Sequence, residues 1–335
     1  MGCCSNRSLE GEDKIIYRTS KNIKSKYDLE SKILGVGRWG NVFKASLISN
    51  PSHEVAVKVI NKVIAKNNSV DIYKQVDMLS KLDHPNIAKY YETFEKRNYY
   101  YVIMELWVGG DLFDVMQQKS LENQWFTEAQ AAVILYDLIK AVNYCHNNKV
   151  MHLDIRPENI LIGDNGDLKL IDFRTVEAED IHEENQTKHT WPWYYSAPEV
   201  LEGNGNYKSD IWSLGVIFYI LISGMLPFEY DKDVNLLIEK IKIGEYSMEH
   251  KKWDTVTEDA KDLISHMMCV DYSERYTAAQ CFEHNWFQSA KMKVKDNSNI
   301  DKELLKSLMN FKASSKLKKA SLNIIAKRLN TSNIK

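Results

Sequence analysis

Cysteine is scarce: Cys3, Cys4, Cys145, Cys269 and Cys281 are the five in 335 residues, and no two stand at metal-ligand spacing. The odd count argues against a disulfide framework. Cys145, Cys269 and Cys281 lie in apolar, helix-like stretches and read as buried thiols of a reducing compartment. Charge of one sign is also lacking. The net charge is −2, so no global field draws nucleic acid or acidic lipid, and no nucleic-acid partner is expected. Internal repeats, low-complexity tracts and calcium-binding loops of the D-x-[DN]-x-[DN]-G type are absent; Asp164-Asn165-Gly166-Asp167 reads as a turn between strands. No secretory signal is expected, because Cys3 and Cys4 run directly into Asn, Arg and Glu. One long apolar run exists, Ile211 to Phe228, at the lower edge of spanning length and closing with Gly224 and Pro227. A helix apolar all round can lie at the centre of a large lobe, which is the reading taken here.

What is present divides the chain. Residues 1–26 are polar and aperiodic and read as a flexible tail. From Tyr27 to Glu105 the pattern is strand-like, interrupted by a helical stretch at 69–82; strands are expected at 88–94 and 99–104. From Asp111 onward apolar residues recur at three and four, as in EAQAAVILYDLIKAVNYCH, with short strands near 160–162 and 168–171. A strand-rich small lobe thus precedes a helix-rich large one, an α+β arrangement. Between Asn310 and Lys335 there are seven Lys/Arg and no acid, and Leu322, Ile325 and Leu329 share one helical face, a basic amphipathic helix.

Gly35-Val36-Gly37-Arg38-Trp39-Gly40-Asn41-Val42 sets three glycines between two strands, where backbone N–H groups can approach phosphate oxygens. The second strand, standing where a dinucleotide fold has a helix, disfavours that fold. Lys58 ends the apolar strand Val55-Ala56-Val57-Lys58, eighteen residues after Gly40, and suits α and β phosphates. In His152-Leu-Asp154-Ile-Arg156-Pro-Glu-Asn159 an aspartate and an asparagine stand five apart; Asp172-Phe173 follows, and Ala197-Pro-Glu199 closes the segment.

Order and spacing of these pieces resemble the eukaryotic protein kinases from Tyr27 to Phe287. The resemblance implies a bilobal α+β kinase fold, with an N-lobe at 27–105 and a C-lobe at 106–287. It also implies ATP and Mg²⁺ as cofactors and a protein substrate. Asp154 would accept the substrate hydroxyl proton, with Asn159 and Asp172 on the metal. Gly35 to Val42, Ala56, Lys58, Glu105, Leu106 and Leu161 would meet the nucleotide, with Met104 as gatekeeper. Asp111 is either an acid for ribose or a basic substrate residue, or a helix N-cap. Asp210 would brace the catalytic loop, and Glu199 would pair with Arg275.

LDHPNI, MELWVGGDLFD and YYSAPEVL look closest to the calcium-dependent protein kinases, and FKASSKLKKASLNIIAKRL resembles that family's autoinhibitory junction. Residues 288–335 are therefore expected as a junction-like regulatory segment without the EF-hand domain. Its basic helix at 310–330 is either a target for a calmodulin-type partner or a solvated face. Met1-Gly2-Cys3-Cys4-Ser5 looks like a dual acylation signal, with myristate on Gly2 and palmitate on Cys3 or Cys4. Asn6 departs from the myristoylation pattern, and an unmodified tail is the alternative. Acylation would place a cytoplasmic protein at the inner face of a membrane.

Four departures touch the catalytic machinery. Gln75 stands where a helix acid would pair with Lys58, and Leu153 where an arginine reads activation-segment phosphate. Arg174 replaces the glycine after Asp172-Phe173, which is expected to make Asp172 harder to orient, and Pro192 replaces a threonine. Arg156 for lysine is milder. Two functions follow: a Ser/Thr protein kinase with weakened transfer, or a pseudokinase acting as an ATP-binding, membrane-anchored scaffold.

Overall fold

The computed structural model describes residues 17–18, 22–37, 40–67, 71–107, 109–122, 124–163, 166–173, 193–229 and 233–287. Two compact units divide them: one runs to Leu82 and includes Lys89–Leu106, the other comprises Asp83–Ala88 and the chain from Trp107.

The first unit is built on a six-stranded sheet, β1 (Tyr17–Arg18), β2 (Tyr27–Gly37), β3 (Gly40–Leu47), β4 (Asn50–Asn61), β5 (Tyr90–Glu95) and β6 (Tyr99–Glu105), in the order β1-β5-β6-β4-β3-β2. β4 is central: its Val55, Ala56, Val57 and Lys58 are all buried, as expected of a strand paired on both edges. One face carries α1 (Lys62–Asn67) and α2 (Ile72–Ser80). Ile72 and Val76 of α2 pack with Ile60, Tyr90 and Val102 of the sheet. The helix is shorter than the expected 69–82 because Asp71 caps it, its carboxylate accepting from Tyr73 N and Lys74 N.

The boundary of the expected tail is corrected here. Ile23, inside 1–26, is 1% exposed and joins a core with Tyr27, Ala45, Val55, Val57, Phe94 and Ile103. Tyr17–Arg18 adds a parallel strand to β5. A lone isoleucine in a polar stretch has no periodicity to announce its burial.

The second unit is helical. Its described strands and α-helices are β7 (Gly110–Asp111), α3 (Leu112–Leu121), α4 (Glu128–Asn147), β8 (Ile160–Ile162), β9 (Leu168–Leu170), α5 (Pro198–Leu201), α6 (Tyr207–Ser223), α7 (Val234–Ile243), α8 (Glu258–Met267) and α9 (Ala278–Glu283). The apolar run is α6, opened by an Asn206/Ser209 capping box and stopped at Gly224 in the left-handed region, φ 67°. It is buried along nearly its whole length, and no described helix is long and apolar enough to cross a membrane.

Candidate active site

The site in the helical unit is organised by the first turn of α6. Asp210 is 1% exposed, and its carboxylate accepts from His152 N at 2.9 Å, Leu153 N at 2.8 Å and His146 Nε2 at 2.9 Å. Burial alone would raise its pKa; the His146 bond and the His152 contacts outweigh it and hold the carboxyl below its usual range. This clamp fixes a backbone that resists its conformation, since Leu153 sits at φ 58°, unfavourable for a residue with a side chain. The family resemblance marks Asp210 as a brace, but nothing in the sequence marks His146, which lies in the last turn of α4.

His152 is held as a neutral imidazole. Asp154 N donates to Nδ1 at 3.2 Å, so Nε2 carries the proton and donates to Ile171 O at 2.9 Å. Burial lowers its pKa against nearby Asp210 and Asp154. The Phe173 ring lies on the imidazole, centroids 4.3 Å apart. His152 therefore joins the loop carrying Asp154 to the segment carrying Asp172.

Asn159 completes that loop. Its Nδ2 donates to Asp154 O at 2.8 Å and to Asp154 Oδ2 at 3.3 Å, while Ile171 N donates to Asn159 O at 3.0 Å. Among the described residues the Asn159 amide oxygen accepts no hydrogen bond. That oxygen and the Asp172 carboxylate are the donor type that a hard cation such as Mg²⁺ takes. Among the described residues no group of three or more His, Cys, Asp or Glu could hold a metal. Asp172 itself adopts φ 61°, a conformation that aspartate tolerates better than most residues. The left-handed step thus lies on Asp172; Arg174 and Pro192 lie outside the described residues.

Arg156 stands among acids. Burial works against its charge, but Glu158, Asp154 and Asp172 more than offset it. Its Nε is 3.8 Å from Glu158 Oε2; both atoms are buried without a hydrogen bond, and the guanidinium makes none among the described residues. A small depression open to solvent is lined by Asp154, Arg156, Tyr195 and Ser213 among others. Burial, then the Glu158 charge, push the Tyr195 hydroxyl far up. Glu199 and Arg275 pair as the resemblance implies. Asp111 caps α3, accepting from Asp114 N at 2.9 Å, and is paired in register with Leu161 of β8.

In the β-rich unit, Lys58 lies on β4, 6% exposed, opposite Val42 of β3 and Val102 of β6. Ala56 stands opposite Met104. Gly35 and Gly37 pair with Val42 and Gly40, which puts Val36 opposite Asn41; Val36 is 79% exposed. Arg38 and Trp39 lie outside the described residues. Glu105 N already donates to Lys89 O at 2.8 Å, so this N–H is not an open donor. Leu106 follows the last residue of β6. Gln75 is 8% exposed on α2. Gly2, Cys3, Cys4 and the basic segment at 310–330 lie outside the described residues.

A β-rich unit with a glycine hairpin and a buried lysine, and a helical unit with a braced Asp–Asn loop, define a protein kinase domain. The chain matches that family over residues 29–287 and belongs to it. It is 36% identical over 316 residues to calcium-dependent protein kinase 3 of Plasmodium berghei (strain Anka), covering 92% of this chain and 55% of that protein. It is also 36% identical over 310 residues to calcium-dependent protein kinase 4 of Plasmodium falciparum (isolate 3D7), covering 90% and 57%. With calcium/calmodulin-dependent protein kinase type 1 of Macrobrachium nipponense it shares 35% over 289 residues, covering 85% and 81%. The chain thus spans little more than half the length of these calcium-dependent relatives.

Proposed function

We propose that this chain is a Ser/Thr protein kinase that moves the γ-phosphate of ATP to a protein hydroxyl. One observation carries the reading: Asp154 is fixed through its backbone by the Asp210 and His152 contacts, with the Asn159 amide on its carboxylate. Phosphoryl transfer asks for such positioning more than for covalent chemistry. Asp154 takes the proton of the attacking hydroxyl. Asn159 and Asp172 would hold Mg²⁺, which supplies charge neutralisation when bound. Lys58 and the backbone of residues 35–42 serve the phosphates. By the resemblance, Ala56, Glu105, Leu106, Asp111 and Leu161 are nucleotide-binding residues. Glu158 favours a basic peptide, and Arg156, with unused N–H donors, suits a phosphoryl oxygen. Leu153 leaves nothing at its position to read activation-segment phosphate.

A scaffold without transfer is the second reading, favoured by the buried, uncharged Gln75. The chain is given Mg·ATP and a basic peptide, beside Asp154→Asn. Transfer lost only in the variant supports the kinase. A nucleotide-dependent thermal shift without transfer supports the scaffold.

The similarity to calcium/calmodulin-dependent protein kinase type 1 supports control through the basic segment at 310–330. Calcium-loaded calmodulin should bind the full chain, and equal binding after deletion of 310–330 would remove that idea. For acylation at Gly2 with Cys3 or Cys4, membrane partition should fall in Gly2→Ala; unchanged partition disposes of it.

A further inference from the structure

α2 carries Gln75, the residue that the resemblance sets against Lys58. Apolar packing of Ile72 and Val76 fixes which face of α2 meets the sheet. Such packing is non-directional and leaves shifts along the axis open, so a second restraint is needed to fix the helix there. A charge at position 75 would supply one, and an amide does so only weakly.

Two residues before Gln75, about 200° round the helix, stands Tyr73, which is 43% exposed. Its hydroxyl donates to Glu95 Oε2 at the end of β5, and Lys62 Nζ, at the start of α1, donates to Glu95 Oε1. The Lys62 ammonium lies 4.7 Å from the Tyr100 ring centroid, and the Tyr73 ring stands edge-on to Tyr100 at 5.9 Å and 83°. The four side chains close a circuit between the first turn of α2 and the β5–β6 hairpin. The Lys62 bond, then the Tyr73 bond, hold the Glu95 carboxyl below its usual range. None of these residues has a place in the proposed transfer chemistry.

We infer that Tyr73, Glu95 and Lys62 are positioning residues that hold α2, and Gln75 with it, in place of the directional restraint that a charge at position 75 would give. This rests on the reading that Lys58 and its surroundings hold nucleotide. The device acts through α2 and touches no reacting atom.

The test is hydrogen exchange across residues 72–80 in the full, unliganded chain, for Tyr73→Phe, Glu95→Gln, Gln75→Glu and the double variant Tyr73→Phe/Gln75→Glu. Tyr73→Phe and Glu95→Gln should speed exchange in α2 by about fivefold, the loss expected for one charge-assisted hydrogen bond at a half-exposed site, with β4 and β6 unchanged. Adding Gln75→Glu to Tyr73→Phe should bring α2 back to within about twofold of the parent. Mg·ATP affinity should follow the same pattern, weakened in Tyr73→Phe and recovered in the double variant. Unchanged exchange in α2, acceleration spread evenly over the β-rich unit, or no recovery with Gln75→Glu would each overturn the inference. A parent chain that binds no Mg·ATP would end the nucleotide reading, and exchange with its rescue would still decide the positioning claim.

Discussion

Glu199 and Arg275, 76 residues apart, meet through two parallel bonds, Nη1 to Oε1 at 2.6 Å and Nη2 to Oε2 at 2.9 Å, both side chains buried. The arginine also donates to the carbonyls of Lys208, Cys269 and Val270, and Ser209 Oγ donates to Glu199 Oε1. Every face of the pair is hydrogen-bonded, the condition under which a buried ion pair is tolerated. It ties α5 to the start of α6 and to the loop before α9.

Removing one partner strands the other charge in the core. Arg275→Ala should therefore cost about 3–5 kcal/mol, read as a fall in the urea midpoint at unchanged slope. A loss under about 1 kcal/mol would mean that water reaches Glu199.

The pair was legible because sequence order and spacing identify both residues once the family is suspected; the same holds for Asp210, Asp154 and Asn159. The helical unit's long elements were legible through periodicity, and α6 through the contrast between its apolar run and its polar flanks. Ile23 was not, because one buried isoleucine makes no pattern. Nor was the left-handed step at Asp172, which depends on how Ile171 and Phe173 are held by His152. Tyr73 and Glu95 are 22 residues apart on a helix and a strand, and only the sheet's packing brings them together. Asp111 was left open between two roles; Asp114 N uses one carboxylate oxygen, an arrangement compatible with both.

Acid should weaken the fold from a pH well above the carboxylate range. His152 and His84 are both lowered by burial. Below about pH 6.5, the ordinary histidine value, the unfolded chain binds protons that the folded chain refuses. Stability is thus present above that pH and lost as pH falls toward the folded values. For the fully buried His152 the slope is at most about 1.4 kcal/mol per pH unit. Asp210 and Glu95, held low, add to the loss only as pH approaches about 4; Asp137, raised by burial, works in the opposite sense. Urea midpoints at pH 7.5 and 5.5 test this, and a flat profile between them would count against the neutral, buried His152.

Two glycines of the β2–β3 hairpin should respond differently. A Cβ on Gly40 would meet Val59 O at 1.8 Å, so Gly40→Ala must spread β3 from β4. A Cβ on Gly35 meets nothing within 4 Å. Gly40→Ala should lose about 2 kcal/mol or more, whereas Gly35→Ala should stay within about 0.5 kcal/mol of the parent and weaken Mg·ATP binding. Equal melting losses would show that the hairpin's glycines serve the fold alone.

Glu128, the first residue of α4, accepts three hydrogen bonds: from Thr257 N at 2.9 Å, Thr257 Oγ1 at 2.7 Å and Trp286 Nε1 at 2.7 Å. It joins α4 to the cap of α8 and to the end of the described chain. All three partners donate, so the site needs both carboxylate oxygens as acceptors. Glu128→Gln keeps the shape but turns one acceptor into an NH₂ facing a donor. It should therefore cost nearly as much as Glu128→Ala, about 1.5–3 kcal/mol. Trp286→Phe should cost less in the Glu128→Ala background than in the parent, since the indole N–H would already lack its acceptor there. A Gln variant as stable as the parent, with additive losses, would mean that packing of Trp286 carries this junction and the carboxylate does not.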